Sequence, residues 1–341
     1  MYLPALQLLR KRYPSSKISI VGPKPVKDIL QNHAKGLYDK FIIVDCPWIA
    51  PFNLRYKNIF NFLFSILLVR KKKYSIALDF RGDFRNILYM SLFRSENKIS
   101  FNTTGGDYML TKAFYCPPEI LHLSDEALYL LKMIEIIPGS EIETKPNLEL
   151  CDADYKFIDN FLVVNNLKNT FIVGIHPGVS ASSEARQWSS EKYAILLVRI
   201  YMKYPKITFV IFEGPNEELA INQISNYLKK NDVNFIRIKR PFQDYIKLLN
   251  TCNLLICNDS GAGHLAAAFS IPSVVIFGKG DPKAVMPIGK NTIKIISHEL
   301  ECKPCNQHFC KYGTNECIKS ISVAEVFESV SEIIDSNYQL S

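Results

Sequence analysis

The sequence predicts an α/β protein built from two doubly wound domains with parallel sheets. Short apolar runs alternate with helix-length patterns along the chain, the arrangement that produces parallel β-strands joined by helices. A chain of 341 residues, 48% of them hydrophobic, has enough apolar material for two ordinary cores. A polar, helix-like stretch over 152–167 divides the series of runs in two and puts a boundary between about residues 145 and 170.

In chain order, strands are expected at 18–21, 41–44 and 76–78, then at 172–175, 208–212, 254–257 and 273–277. Each is a short, nearly continuous apolar run bounded by polar or turn residues, as in strands covered on both faces. The longest apolar stretch, 59–69, is eleven residues, and a bilayer requires about twenty. It reads as a buried crossover helix whose closing cations, 70–73, complement its dipole, in preference to a helix resting on a membrane surface. Residues 323–334 are expected to form a closing helix. No cleavable signal precedes Met1, so a cytoplasmic protein is expected.

Charge is unevenly distributed. Residues 1–100 hold 18 Lys and Arg against 6 Asp and Glu, while the formal net charge of the whole chain is +8. A basic first third suits anionic lipid headgroups or a phosphorylated acceptor. Nucleic acid is excluded as a partner because no recognition-helix, RNP or zinc-finger pattern accompanies the charge.

The densest chemistry lies at Asp259, Ser260, Gly261, Ala262, Gly263 and His264, between the apolar run 254–257 and a helix starting at Leu265. A strand-to-helix turn leaves the first helical N–H groups unpaired at the positive end of the helix dipole. The glycines at 261 and 263 let an anion approach the backbone, and Ser260 and His264 add donors. An ordinary polar turn has similar composition, but two glycines, a hydroxyl, a carboxylate and an imidazole within six positions favour a diphosphate site. A second reading is a dinucleotide fingerprint, since 261–266 fits G-x-G-x-x-A and Asp281 follows at the distance of a ribose-binding acid. Pro272 weighs against it by stopping the helix after about two turns.

These residues resemble the donor-site signature of glycosyltransferase family 9, the ADP-heptose:lipopolysaccharide heptosyltransferases. Asp259, Ser260, Gly261, His264, Ala266, Ala267, Ala268, Pro272 and Gly278 fit its pattern. Upstream, 172–193 is similar to the family's strand, P-G-x-S loop and K-x-W segment, with Arg186 where lysine is usual. Downstream, Cys302, Pro304 and Cys305 match its C-x-P-C motif. The resemblance implies a GT-B fold, two Rossmann-like domains facing a cleft. It divides the chain into an acceptor-side domain at 1–155, a nucleotide-sugar domain at 165–320 and a terminal helix at 321–341 that crosses back to the first domain.

What the resemblance implies for the site can be given residue by residue. Gly178, Ser180 and Ser182, with Ser183 nearby, belong to a loop suited to phosphate oxygens. Arg186 takes the position of the cation that neutralises the departing diphosphate. Glu217 occupies the family's Gly-x-x-Glu position, where a carboxylate accepts the ribose hydroxyls, with Glu218 as a competing register. Trp188 reads as packing as readily as stacking.

The first domain departs from the pattern. The family opens with a strand, a Gly-Asp turn bearing the general base, and a helix; here 3–6 match that helix, so the first strand and base are expected upstream of Met1. Asp83 is the remaining candidate base, and Arg81 and Arg85 beside it suit an anionic acceptor. Cys302, Cys305, Cys310 and Cys317, with His308 among them, supply enough ligands for a structural zinc, against loose thiols or an oxidised pair. No cofactor is expected to be required.

The function implied is metal-independent, inverting transfer of heptose or a related sugar from a nucleoside diphosphate, ADP-heptose, to the lipopolysaccharide inner core or another anionic glycan, peripheral to the inner membrane. The alternatives are an NAD-type oxidoreductase and a non-catalytic sugar-nucleotide-binding relative.

Overall fold

The computed structural model describes residues 1–44, 46, 56–136, 145–179, 186–303, 305, 310 and 312–338. The chain divides into two compact units, Met1–Thr144 and Lys145–Ser341.

The first unit runs α1 (Leu3–Arg12), β1 (Ser19–Gly22), α2 (Lys24–His33), β2 (Lys40–Ile43), α3 (Tyr56–Arg70), β3 (Tyr74–Asp79), α4 (Phe84–Ser91), β4 (Ser95–Phe101), β5 (Lys112–Phe114) and α5 (Leu123–Met133). All its described strand pairs are parallel, but they form two sheets, β1-β2 and β3-β4-β5. Coverage is incomplete for parallel strands: all four residues of β1 are half-buried, and Ser75 and Ile76 of β3 are exposed. Helix α1 packs Ala5 and Leu8 against Ala127 and Leu131 of α5, and Ile42 of β2 shares a cluster with Val69 of α3 and Tyr89 of α4.

The second unit runs α6 (Asp152–Val164), β6 (Ile172–His176), α7 (Ser190–Lys203), β7 (Thr208–Phe212), α8 (Glu218–Lys230), β8 (Phe235–Ile238), α9 (Phe242–Leu249) and β9 (Leu254–Asn258). It continues through α10 (Gly261–Ala268), β10 (Ser273–Phe277), α11 (Pro282–Val285), β11 (Ile293–Ser297), α12 (Glu316–Lys319) and α13 (Val323–Tyr338). Its six strands form one parallel sheet in the order β11-β10-β9-β6-β7-β8. Every residue of β9 and β10 is buried, which explains their continuous apolar sequences. Helix α13 sends Val326, Val330 and Ile334 into the same core as Val173, Ile256 and Ile276, so the closing helix is part of the second unit's own packing.

The chain leaves β6 in one direction along this sheet and returns through β9 on its other side. The strand order therefore reverses between β6 and β9, which pair in register Ile175 to Ile256 and His176 to Cys257. The loops after these two strands emerge side by side, the position where open α/β sheets bind ligands.

Candidate active site

The turn after β9 is organised by two residues at the strand end. Asn258 has no exposed surface; its Oδ1 accepts from the Trp188 backbone N–H at 3.2 Å and its Nδ2 donates to the Pro177 carbonyl at 2.7 Å. One buried amide thus ties together the loop after β6, the segment entering α7 and the turn after β9. Ser260 stands at the N-cap of α10 in extended conformation, yet its side chain does not cap the helix. Its Oγ is buried without a hydrogen-bond partner, a costly state for a hydroxyl. A turn with an uncapped helix start and an unsatisfied hydroxyl matches what an anion requires.

The glycines of this turn divide in function. A Cβ at Gly261 would point into open space, whereas one at Gly263 would press on Pro287, Val275 and Cys257 at 3.1 to 3.4 Å. Gly261 therefore keeps the approach clear. Gly263, expected to face the donor, is buried against β9 and β10 and lets the helix lie close to the sheet. His264 is half-buried on the first turn of α10.

Asp259 is buried, and burial raises its pKa against the opposing charges of Arg186 and Lys279. Arg186 Nε lies 3.5 Å from Asp259 Oδ2. Lys279, also buried, has its pKa lowered first by burial and then by the Arg186 guanidinium. Two cations around one carboxylate leave a local excess of one positive charge next to the α10 N-terminus. Such an excess beside a buried carboxylate favours the approach of an anion.

Glu217 lies one strand further along. It directly precedes α8 and accepts from the Gly214 N–H at 2.7 Å, and a Cβ at Gly178 would overlap its carboxylate. Glu217 is thus lodged between the loops after β6 and β7, its pKa raised mainly by burial. Glu218, the competing register, begins the helix with an exposed side chain. Trp188 is packing: it is 1% exposed, and its indole N–H donates to the Ile321 carbonyl at 3.0 Å. Ser180 and Ser182 lie outside the described residues.

In the first unit, Asp83 caps α4 and accepts from the Arg85 backbone at 2.9 Å and from its guanidinium at 2.8 and 2.7 Å. These bonds from Arg85 hold the Asp83 carboxyl down at about 2. A carboxylate so stabilised is a weak base, in keeping with the effect expected of its flanking arginines. Arg85 is occupied by the same pair, whereas Arg81 is exposed. Asp79 organises this turn, accepting from the Gly82 N–H and the Ser100 hydroxyl, both at 2.8 Å.

Among the described residues no disulfide involves Cys302, Cys305, Cys310 or Cys317. Among the described residues no group of three or more His, Cys, Asp or Glu could hold a metal ion, so the geometry gives the expected zinc no support. His308 and Pro304 lie outside those residues.

Asn258, Lys279 and Glu213 escaped the reading of the sequence. Glu213 follows β7 and is buried beneath Arg237 at 2.5 Å and Lys239 at 2.7 Å. All three share one signal: a polar residue at or just after the carboxyl end of a fully apolar strand, where a doubly wound sheet builds its site.

The second unit's strand order and its switch-point turn are those expected of a nucleotide-sugar domain. Residues 68–315 match Glycosyltransferase family 9 (heptosyltransferase). The chain belongs to that family. This family 9 chain is 24% identical over 273 residues to lipooligosaccharide heptosyltransferase 2 of Campylobacter jejuni, covering 78% of the chain and 81% of that protein. It is 23% identical over 343 residues to lipopolysaccharide heptosyltransferase 1 of Campylobacter coli, covering 96% and 93%. Among solved structures it resembles the family 9 glycosyltransferase from Veillonella parvula, with TM-score 0.78, 18% identity and 98% and 93% of the two chains covered. The ADP-heptose lps heptosyltransferase II of E. coli follows at TM-score 0.75, 16% identity and 99% and 95% coverage. The fold is accordingly of the GT-B type, and the protein is a glycosyltransferase.

The oxidoreductase alternative falls with these findings. A dinucleotide fingerprint follows the first strand of its sheet, whereas 261–266 follows β9. Asp281, the would-be ribose acid, caps α11 by accepting from the Lys283 N–H at 2.9 Å.

Proposed function

We propose that this family 9 glycosyltransferase moves heptose from ADP-heptose to the inner core of lipopolysaccharide, with inversion at the anomeric carbon. The observation that carries the reading is the ion pair of Arg186 with buried Asp259 beside the uncapped start of α10, with Lys279 near enough for its charge to act on the same carboxylate. The names of the relatives in Campylobacter and E. coli support the sugar and the acceptor.

In this reading the donor diphosphate lies over Gly261, within reach of the α10 N–H groups, Ser260, Arg186 and Lys279, while Glu217 accepts from the ribose. An acceptor hydroxyl oxygen attacks the anomeric carbon from the face opposite the diphosphate. The bond from that carbon to the phosphate oxygen breaks with both electrons leaving on the diphosphate, and the hydroxyl proton passes to a base. Charge on the leaving group grows as this bond breaks, so fixed cations and N–H dipoles stabilise the transition state more than the ground state. These groups do the work for which other transferases recruit a divalent ion. Asp83, held ionised by Arg85, is disfavoured as that base, and Arg81 meets the anionic acceptor. A lipid-anchored acceptor puts the reaction at the cytoplasmic face of the inner membrane. No described helix is long and apolar enough to cross a membrane.

Calorimetry with ADP, followed by measurement of ADP released from ADP-heptose in the presence of heptose-deficient lipopolysaccharide, tests this. Binding and acceptor-dependent release are expected. Absence of ADP binding overturns the donor site, and binding without release favours a non-catalytic sugar-nucleotide-binding protein.

A further inference from the structure

Helix α3 contradicts the expectation that its apolar sequence is wholly buried. Ser65 and Val69 are buried, and Phe62 and Ile66 pack beside Ile42 and Tyr89. On another side, Ile59, Phe60, Leu63, Phe64 and Leu67 are exposed, Phe60 to 68% and Leu67 to 60%. At 3.6 residues per turn these five side chains fall within an arc of about 140°. The rings of Phe60 and Phe64 stack on one another at 6.5 Å. Five large apolar side chains in one continuous stripe are not the scattered apolar residues of an ordinary surface.

The surroundings of the stripe select its partner. Helix α3 contains no Asp or Glu, and Arg70, Lys71 and Lys72 at its end are all exposed. The first hundred residues carry the strong excess of Lys and Arg noted above. A second copy docked here would bring like charges together, and an anionic bilayer would bring opposite ones. The stripe covers nine residues, about 12 Å of helix, which suits a helix lying in the headgroup boundary and is too short to span a bilayer.

We infer that the outward face of α3 is a docking surface for anionic phospholipid, with Phe60, Leu63, Phe64 and Leu67 entering the acyl boundary and Arg70, Lys71 and Lys72 binding headgroup phosphates. This deepens the proposed reaction at a membrane surface, but it stands on exposure and charge that are independent of the donor site.

The test is vesicle flotation of the full chain, comparing phosphatidylcholine containing a minority of phosphatidylglycerol with phosphatidylcholine alone. Wild type is expected to float with the anionic vesicles and to be released by salt. A Phe60→Ser, Phe64→Ser, Leu67→Ser variant is expected to lose tenfold or more in partitioning. In a Lys71→Glu, Lys72→Glu variant, about fivefold is expected to be lost per residue changed. The charge variant alters no packed side chain, so it keeps the test decisive should the apolar one fail to fold. ADP affinity and the thermal melt report folding, and unchanged ADP binding separates failure here from failure of the donor reading. Equal flotation of wild type and both variants overturns the inference. So does a wild-type dimer that the apolar changes dissociate while no vesicle captures the protein.

Discussion

Asn258 donates its side-chain amide to the Pro177 carbonyl at 2.7 Å, joining the loops after β6 and β9 at the point where the strand order reverses. The same side chain accepts from the Trp188 N–H, so both of its polar ends are committed within the protein. Asn258 thus ties the two loops together through its side chain alone.

Asn258→Asp keeps the acceptor and removes the donor, setting a carboxylate against the Pro177 carbonyl. A loss of about 2 kcal/mol in stability is expected, on the scale of a buried unsatisfied group, with at least tenfold weaker ADP binding. Denaturant melts and calorimetry measure the two. Wild-type ADP affinity in this variant would show that the tie does not shape the site.

Gly178→Ala tests the seat of Glu217, because the added Cβ overlaps that carboxylate. Affinity for ADP is expected to fall while affinity for inorganic pyrophosphate holds, since Glu217 is assigned to the ribose. An equal loss for both ligands would assign the loop to phosphate instead.

Arg186 and Lys279 are predicted to act on the leaving group. Arg186→Ala and Lys279→Met should each lower kcat by more than they raise KM, by roughly a hundredfold if either supplies transition-state charge comparable to an oxyanion donor. A change confined to KM would make them binding groups only.

Glu325 provides the pH test. It accepts from the Ser322 N–H at 2.7 Å and hydroxyl at 2.6 Å and lies 2.7 Å from His298 Nε2. These bonds, those from Ser322 first, lower its pKa to about 2 from an ordinary 4.5. A depressed carboxylate contributes stability that is fully present above the unfolded value and disappears as pH falls through the folded one. Glu325→Gln should therefore destabilise the protein at pH 7 by about 1 kcal/mol, a typical helix-capping contribution, and by progressively less from about pH 4.5 down to about pH 2. Urea melts across that range measure it; a penalty independent of pH would show that the charge is immaterial.

The sequence revealed the second unit better than the first, for a physical reason. Strands β7 and β10 lie at 208–212 and 273–277, as expected, because strands buried on both faces must be apolar throughout. Strands β8 and β11 escaped because they are edge strands, where Arg237 and Lys294 interrupt the apolar run. In α3 the same reasoning misled: apolar residues on every side suggested burial, and the structure buries only part of the helix. In the candidate site, Gly261 drew attention from the sequence because a glycine at a strand-to-helix turn lets an anion approach the backbone. Lys279 and Asn258 were not, since their significance arises from strands that become neighbours only in the folded sheet.

The central claim is that the start of α10 holds the donor diphosphate, and Gly261→Val tests it most directly because the new side chain would enter space that is otherwise open. Calorimetric titration with ADP is expected to show affinity reduced at least tenfold, about 1.4 kcal/mol, with the thermal melt unchanged. Wild-type affinity in a folded Gly261→Val protein would contradict the assignment of this turn to the diphosphate.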